Sequence, residues 1–454
     1  MRQAPPLIAC HENLECLLSG GRGQLLHAVA RQAPAYPLFE ASLPAARLLP
    51  FDMTRRVRPF LNDDQVLAHS DLAARLAGAG VQGFIPSYRA SPRLERWSAD
   101  NGPVLISPPH VLQRRLEDKV AFHSLMARLR LPTPAGMVLS TPDQLGRLPA
   151  GPLVCQVPFS EGMDGTALVR SARQLARRLR AGELRLPLLC RELLQGLVLG
   201  ITIVVGPGQV QLSAVRHQCR GLRQRDRGLS GIQWLARSAL PPGACRNIGR
   251  TMAALGRGLC GEGFRGAANI DFILADEQVW IIECNPRFSA STPQLAAWPE
   301  LLHGLDLVSE HLRALQGAPL SCHRPSLPHT SFQGATVDFS DWTLAIMRAA
   351  RRHRVAGLPQ LGVHDFTGGK LRQISLDAAQ LRGPERLLFH YSTPAGAPPS
   401  RRSDFGTLIT SFPMFSFRRP RATLTRRGAA LMGQLEQRVR FRRPTCTLAD
   451  VRGT

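Results

Sequence analysis

Lysine is almost absent from this sequence of 454 residues. Lys119 and Lys370 are the two lysines, and the other 55 of the 57 basic residues are arginines. We interpret this bias as an effect of genome base composition, so the formal charge of +24 does not by itself indicate a polyanionic partner. Because Lys119 is kept against that bias, it is a candidate functional residue.

The sequence also lacks the patterns that define several protein classes. Its ten cysteines form no CxxC pair and no Cys/His cluster with zinc spacing, which argues against structural zinc. No apolar run approaches the roughly 20 residues of a membrane span, and the first apolar run is too short for a secretory signal. The 40 Gly and 36 Pro residues follow no repeating period, which argues against a collagen-like chain. We therefore expect a globular, cytoplasmic protein without a membrane partner.

Short apolar runs alternate with helical patterns from residue 6 to about residue 110. This alternation predicts an α/β unit with a parallel sheet. The glycine cluster at Ser19–Gln24 could form a phosphate loop at a helix N-terminus, but its spacing matches neither GxGxxG nor a Walker A loop. We interpret the cluster as a turn.

The middle of the chain has the pattern of an α+β unit. A helix is predicted over residues 111–130, because the apolar spacing is helical and stops just before Pro132. Two hairpins follow, one turning at Gly206-Pro207-Gly208 and the other at residues 275–278. A segment rich in Pro, His and Ser begins near residue 319 and indicates a boundary. The predicted domains are 1–110, 111–318 and 319–454, the last of them basic and without an assigned fold.

The second hairpin carries the strongest functional signal. Glu283 and Asn285 share one face of a strand, and Asp271 on the partner strand can lie opposite them. Two carboxylates and an amide oxygen on one sheet face suit Mg²⁺, which fills its other positions with water and phosphate oxygens. Arg287 continues the row and has a planar fork suited to a phosphate or a carboxylate. Acids on one face of a solvated sheet are also ordinary, so geometry alone leaves both interpretations open.

The stretch ANIDFILADEQVWIIECNPRFSAST resembles the metal-binding hairpin of the ATP-grasp superfamily, in its carbamoyl-phosphate synthase large chain and biotin carboxylase branch. LEDKVAFHSLMARLRLPTPAG is similar to the Asp-Lys helix and Pro-Thr-Pro step that open the ATP-grasp domain. PLLCRELLQG is similar to the hinge strand, and VQGFIPSYRASPRLERWS resembles part of the smaller α/β domain that precedes ATP-grasp domains. The resemblance covers about residues 6–318. It implies a pre-ATP-grasp α/β domain followed by an ATP-grasp fold.

The resemblance also implies roles for individual residues. It assigns one or two Mg²⁺ (or Mn²⁺) ions to Asp271, Glu283 and Asn285, and it assigns Arg287 to the transferring phosphoryl group or to the acceptor. The implied ATP contacts are Lys119, Gln156, Glu192 and Leu194. Residues 160–166 would form a phosphate lid.

Two positions depart from the family pattern. Gln156 stands where the family has a second nucleotide-contacting lysine, so it offers a hydrogen bond but no charge. Leu197, Val198 and Leu199 stand where the hinge strand continues to an acid that binds the ribose. The loss of one cation near the phosphates would cost about 1.5–3 kcal/mol of nucleotide binding.

The implied function is that of an ATP- and Mg²⁺-dependent ligase. Such an enzyme activates a carboxylate as an acyl phosphate and joins it to an amine, with residues 216–228 as a candidate carboxylate-binding loop. The alternative is a nucleotide-binding protein without turnover, whose basic C-terminal region binds a polyanion through Phe412, Phe415, Phe417 and neighbouring arginines. Because arginine is frequent throughout the chain, these runs are weak evidence for nucleic acid, which we do not expect as a partner. The sequence leaves open whether identical copies assemble.

Overall fold

Three main sheets, with helices packed against them, build the chain. The computed structural model describes residues 7–20, 25–54, 63–160, 165–220, 229–338, 354–391, 406–418 and 421–442. The described helices are Leu14–Leu18 (α1), Tyr36–Ser42 (α2), Asp63–Ala68 (α3), Leu72–Gly78 (α4), Pro92–Asn101 (α5), His110–Glu117 (α6), Lys119–Arg128 (α7), Ala172–Arg180 (α8), Pro242–Gly261 (α9), Thr292–Ala297 (α10), Leu307–Leu315 (α11) and Arg426–Glu436 (α12).

Strands occur along the whole described part of the chain. In chain order they are Ile8–His11 (β1), Leu25–Ala30 (β2), Leu48–Phe51 (β3), Gly83–Ile85 (β4), Val104–Leu105 (β5), Gly136–Leu139 (β6), Leu153–Gln156 (β7), Thr166–Val169 (β8), Leu188–Glu192 (β9), Leu197–Gly206 (β10), Gln209–Arg220 (β11), Leu229–Trp234 (β12), Gly266–Ala275 (β13), Gln278–Asn285 (β14), Ala335–Asp338 (β15), Arg354–Gly357 (β16), Gly362–Thr367 (β17), Lys370–Ser375 (β18), Arg386–His390 (β19), Thr407–Thr410 (β20), Phe415–Arg418 (β21), Arg421–Leu424 (β22) and Arg440–Arg442 (β23).

The first five strands form a parallel sheet in the order β3-β2-β1-β4-β5. This confirms the predicted α/β unit. A strand, β2, follows the glycine cluster directly, so the cluster does not open a helix. Residues 21–24 of the cluster lie outside the described part of the chain.

The single helix predicted over residues 111–130 is wrong, because the helix is interrupted at Asp118. Asp118 has an extended backbone, and its carboxylate accepts hydrogen bonds from the N–H groups of Val120 (2.8 Å) and Ala121 (3.0 Å). It therefore caps a new helix, α7, which begins at Lys119. The interruption turns the first residue of α7 toward the candidate site.

A small antiparallel sheet of four strands follows in the order β6-β9-β7-β8. Leu175 of α8 packs into its core with Cys155 and Cys190. The opposite face of β7 and β9 carries Gln156 and Arg191, since side chains alternate along a strand. Residues 193–196 connect this sheet to the large sheet.

The large sheet has ten strands in the order β14-β13-β10-β11-β12-β15-β20-β19-β17-β18. Both predicted hairpins, β10–β11 and β13–β14, are confirmed. The odd-numbered residues of β10 from Leu199 to Val205 join the hydrophobic core that α9 covers. The even-numbered face carries Gly200 and Thr202 to the candidate site.

The region after residue 319, to which the sequence assigns no fold, supplies strands to this same sheet. β15 pairs with β12, and β20 pairs with β15. The sheet thus continues past the predicted domain boundary, and the boundaries themselves stay predictions. Within the described residues, no helix is long and apolar enough to cross a membrane.

Gln294 of α10 holds the helix against the large sheet. Its side chain is fully buried, and its Oε1 accepts hydrogen bonds from the Trp234 indole (2.7 Å) and the Thr336 hydroxyl (2.9 Å). Trp234 lies in β12 and Thr336 in β15, so one amide joins the two halves of the sheet to the helix.

We expect Gln294→Leu to leave both donors buried without an acceptor. Each such group costs about 1–3 kcal/mol, so the free energy of unfolding should fall by at least about 2 kcal/mol. Thermal unfolding measures the change, with Gln316→Leu, an exposed site after α11, as the control. Equal midpoints for the two variants would show that Gln294 does not join the sheet halves.

Candidate active site

The β13–β14 hairpin brings the predicted metal ligands together. Asp271 lies directly opposite Glu283 in the strand register, and Asn269 lies opposite Asn285. The Asn285 side-chain amide donates to Glu283 Oε1 at 3.4 Å. A bulge follows Asp271 in this register, which ends the regular pairing next to the carboxylates.

The negative charges of the two facing carboxylates repel each other. Burial raises the pKa of Glu283 above its ordinary value, and the charge of Asp271 adds to the rise, while Lys119 and Asn285 oppose it. Among the described residues, no group of three or more His, Cys, Asp or Glu could hold a metal ion. The predicted ligands are two carboxylates and one amide oxygen, and oxygen donors of this kind suit a hard cation such as Mg²⁺, which keeps water and phosphate oxygens as its other ligands.

Lys119 reaches this hairpin from the first turn of α7. Its Nζ lies 3.5 Å from Glu283 Oε2 and donates to the Ser160 carbonyl at 3.0 Å, and its side chain is 3% exposed. Lys119 thus joins the β13–β14 hairpin to the start of the predicted lid. Residues 161–164 of that lid lie outside the described chain.

Four residues in register on four neighbouring strands form a row that contains the two carboxylates. Arg216 of β11 is paired with Gly200 of β10, and Gly200 is paired with Asp271, which faces Glu283. Because Gly200 has no side chain, the Arg216 guanidinium extends over it to within 3.8 Å of Asp271 Oδ1. A Cβ atom on Gly200 would lie 2.8 Å from the guanidinium carbon.

Arg216 is buried, and it donates to Thr202 Oγ1 (3.4 Å) and Asn269 Oδ1 (3.3 Å). Burial lowers the pKa of its guanidinium to about 10, and the Asp271 charge opposes that shift. The sequence predicts a loop at Arg216, but the residue lies in strand β11, close to the β13–β14 hairpin. The remainder of that stretch, residues 221–228, lies outside the described chain.

Gln156 contributes no charge, but a cation lies next to it. The Arg191 guanidinium of β9 donates to Gln156 Oε1 at 2.5 Å and to the Ile282 carbonyl at 3.0 Å. Burial lowers the pKa of Arg191 to about 10, and Glu283 opposes the shift. Position 156 on β7 thus has no positive charge, but Arg191 on the neighbouring strand β9 has one.

Arg287 is held by contacts with Glu117 of α6, with Asn285 of the hairpin and with Tyr88, which follows β4. Its Nε donates to Glu117 Oε1 at 2.7 Å, its Nη2 donates to Asn285 Oδ1 at 3.2 Å, and its guanidinium lies 4.0 Å from the centroid of the Tyr88 ring. Glu117 also pairs with Arg89 at 2.8 Å. Arg287 therefore has a defined orientation beside the β13–β14 hairpin, and its role in chemistry stays a prediction.

The predicted adenine contacts lie where the two sheets join. The Glu192 N–H donates to the Ala135 carbonyl at 2.9 Å, and Leu194 follows in the connecting segment, partly exposed. Val198, at a predicted ribose position, pairs with Ile273 in β13.

Sequence reasoning missed three residues that surround the hairpin: Glu117, Tyr88 and Arg191. It expected Arg216 in a carboxylate-binding loop and not in a strand next to Asp271. A charged residue inside an apolar strand was the available signal for the two arginines, in PLLCREL and in LSAVRHQ. The neighbours of these two arginines become known only when the register of the strands is known.

We expect Gly200→Ala to move Arg216 away from Asp271, because the new methyl group would overlap the guanidinium. Overpacking of this kind costs about 1–3 kcal/mol. The measurement is the thermal unfolding midpoint of the protein without nucleotide. Gly261→Ala is the matched control, since a Cβ there meets nothing within 4 Å. The same midpoint in both variants would contradict the arrangement.

We expect Glu283→Gln to stabilise the protein at pH 8 when no divalent cation is present. A carboxyl whose pKa is raised in the folded state stabilises folding below its ordinary pKa and loses that contribution as pH rises through the folded pKa. The advantage of the variant should therefore shrink toward pH 4. Unfolding midpoints from pH 4 to pH 8 measure it, with exposed Glu300→Gln as the control. A constant difference across that range would contradict the expectation.

No protein-family model matches the sequence. The sequence is 27% identical over 224 residues to the arginine-specific carbamoyl phosphate synthase large chain of Geobacillus stearothermophilus, which is 45% of this chain and 21% of that protein. It is 31% identical over 90 residues to biotin carboxylase of Haemophilus influenzae, which is 20% of this chain and 19% of that protein. The chain thus spans about a fifth of the curated relatives it matches.

Similar solved structures extend over nearly the whole chain. The biotin carboxylase domain of the Hydrogenobacter thermophilus 2-oxoglutarate carboxylase has a TM-score of 0.61 at 14% identity, over 96% of this chain and 90% of that chain. L-amino acid ligase of Bacillus licheniformis has a TM-score of 0.56 at 13% identity, over 98% and 100%. At these identities the likeness shows the fold. The predicted resemblance is therefore confirmed: this chain is related in sequence to the carbamoyl phosphate synthase large chain and biotin carboxylase, and it has an ATP-grasp fold.

Proposed function

We propose that this chain is an ATP- and Mg²⁺-dependent ligase that activates a carboxylate as an acyl phosphate and joins it to an amine. One observation carries the proposal. Asp271 and Glu283 face each other in register, and Lys119, Arg191 and Arg216 lie around them. Phosphoryl transfer is catalysed mainly by positioning and charge neutralisation, and this arrangement supplies both.

Each group would have a defined task. Asp271, Glu283 and Asn285 would hold Mg²⁺ (or Mn²⁺), which when bound neutralises the phosphate oxygens. Lys119 would contact a phosphate as a point charge. Glu192 and Leu194 would meet the adenine with backbone groups, and Gln156 would orient Arg191 beside the phosphates.

The acceptor would lie on the side of Arg287. One carboxylate oxygen of the acceptor forms a bond to the γ-phosphorus while the bond to the ADP oxygen breaks. The amine then attacks the acyl carbon, phosphate leaves, and the amine proton passes to solvent. Arg287, oriented by Glu117, would bind the carboxylate or the transferring phosphoryl group.

The names of related and structurally similar proteins support this reaction class. They include carbamoyl phosphate synthase, N5-carboxyaminoimidazole ribonucleotide synthetase and L-amino acid ligase. The substrates proposed for this chain are a small carboxylic acid and an amine. A cytoplasmic location and assembly of identical copies stay predictions.

The alternative, a nucleotide-binding protein without turnover and with a polyanion-binding C-terminal region, has weaker support. From residue 330 onward the chain carries 20 basic and 8 acidic residues. Base stacking needs accessible rings. Phe412 and Phe415 are buried, 5% and 2% exposed, and the Phe417 side chain lies outside the described part.

We expect ATP with Mg²⁺ to raise the unfolding midpoint of the wild-type protein. Ligand at about 100 times its dissociation constant adds about 2.7 kcal/mol. Without Mg²⁺, or in Glu283→Gln, the increase in the midpoint should be much smaller, because the site then lacks either the ion or one of the ion's carboxylate ligands. Glu300→Gln should behave as wild type.

Turnover is measured in the same preparations. ADP release in the presence of hydroxylamine and a panel of carboxylic acids should depend on the acid and yield hydroxamates, because hydroxylamine intercepts an acyl phosphate. A Mg²⁺-dependent midpoint shift without any acid-dependent ADP release would favour the alternative. No shift at millimolar ATP would reject both functions at this site.

A further inference from the structure

Arg191 is an unusual residue for its position. It lies in β9 between Cys190, which faces the core of the small sheet, and Glu192, which ends the strand. Its side chain points to the other face, toward the β14 backbone, and the residue is 4% exposed. A charged side chain placed there must be compensated, because transfer of a cation from water into a protein interior costs several kcal/mol.

The described neighbours compensate the charge only in part. The two acceptors of Arg191, Gln156 Oε1 and the Ile282 carbonyl, are neutral. Within the described part of the chain, no carboxylate oxygen lies within the 4 Å of an ion pair with Arg191. A guanidinium has five N–H donors, and these two neutral acceptors account for two of them.

The surroundings are those of an anion site. Lys119, Arg191 and Arg216 bring three positive charges to the two carboxylates Asp271 and Glu283, which leaves an excess of one positive charge. The nucleotide of the proposed reaction carries a polyphosphate, and a guanidinium pairs with phosphate oxygens through two parallel hydrogen bonds. Its rigid fork loses little freedom on binding because Gln156 and Ile282 already fix it.

We propose that Arg191 binds the nucleotide polyphosphate, and that Gln156 is its positioning residue. This inference rests on the proposed function, because it requires the nucleotide at this hairpin. Gln156 and Arg191 project from the same face of adjacent strands, so a cation at either position serves the same phosphates. Position 156 can then be neutral because the charge is supplied by β9.

The test is a titration of MgADP and of AMP against the wild-type chain and four variants. Arg191→Met should weaken MgADP binding about tenfold or more, the loss of a charged hydrogen bond, and should weaken AMP binding much less. Arg191→Met with Gln156→Lys should bring MgADP affinity back to within about threefold of wild type. Arg191→Gln keeps a polar side chain but removes the positive charge, so it tests whether MgADP binding depends on that charge. Arg173→Met, which removes an exposed arginine of α8, should bind as wild type.

The outcomes separate this inference from the proposed function. If the wild-type chain binds no MgADP, the proposed function fails first. If the wild-type chain binds MgADP and Arg191→Met binds within twofold of it, the inference is overturned while the function stands. If MgADP and AMP weaken equally and lysine at position 156 restores nothing, Arg191 only supports the strand and the inference is also overturned. The nucleotide-free unfolding midpoint of each variant identifies any that do not fold.

Discussion

Two carboxylates held face to face across a hairpin are the constraint on which the site depends. The register of β13 and β14 brings Asp271 and Glu283 together, and burial with mutual repulsion raises the pKa of Glu283. Positive charge nearby opposes that rise, because it favours the ionised form of a carboxylate. Lys119, Arg191 and Arg216 supply that charge from α7, β9 and β11. The packing of these three elements around the hairpin is therefore part of the electrostatics of the site.

Burying charged groups in this arrangement costs folding free energy, but it fixes those groups in place before a ligand binds. Buried guanidinium groups are costly, and burial lowers the pKa of both Arg191 and Arg216 to about 10. Gly200 accommodates one of them by leaving a gap in the sheet surface. Groups fixed in this way before a ligand arrives need not reorganise when an anion binds, which is the basis of electrostatic preorganisation.

The large sheet connects this site to the C-terminal part of the chain. β10 lies between β13 and β11, and through β12 the sheet continues into β15 and β20. Gln294 joins Trp234 and Thr336 across that continuation. Residues beyond 319 therefore support the strands that carry Arg216 and Asp271, although the sequence offered no fold for them.

The sequence alone determined the parallel α/β unit and both hairpins, because periodicity and motif spacing act over a few residues. The second hairpin predicted Asp271, Glu283 and Asn285 on one sheet face, and the rarity of lysine together with the family resemblance indicated Lys119. The family resemblance implied Gln156 as a neutral residue near the nucleotide. Only the tertiary structure decided where the compensating charges lie. Arg191 meets Gln156 through the β7–β9 pairing, and Arg216 reaches Asp271 over Gly200 through two strand registers. The break at Asp118 and the continuation of the sheet past residue 319 also depend on contacts far apart in sequence. Such contacts are set by strand pairing and burial, which no local pattern encodes.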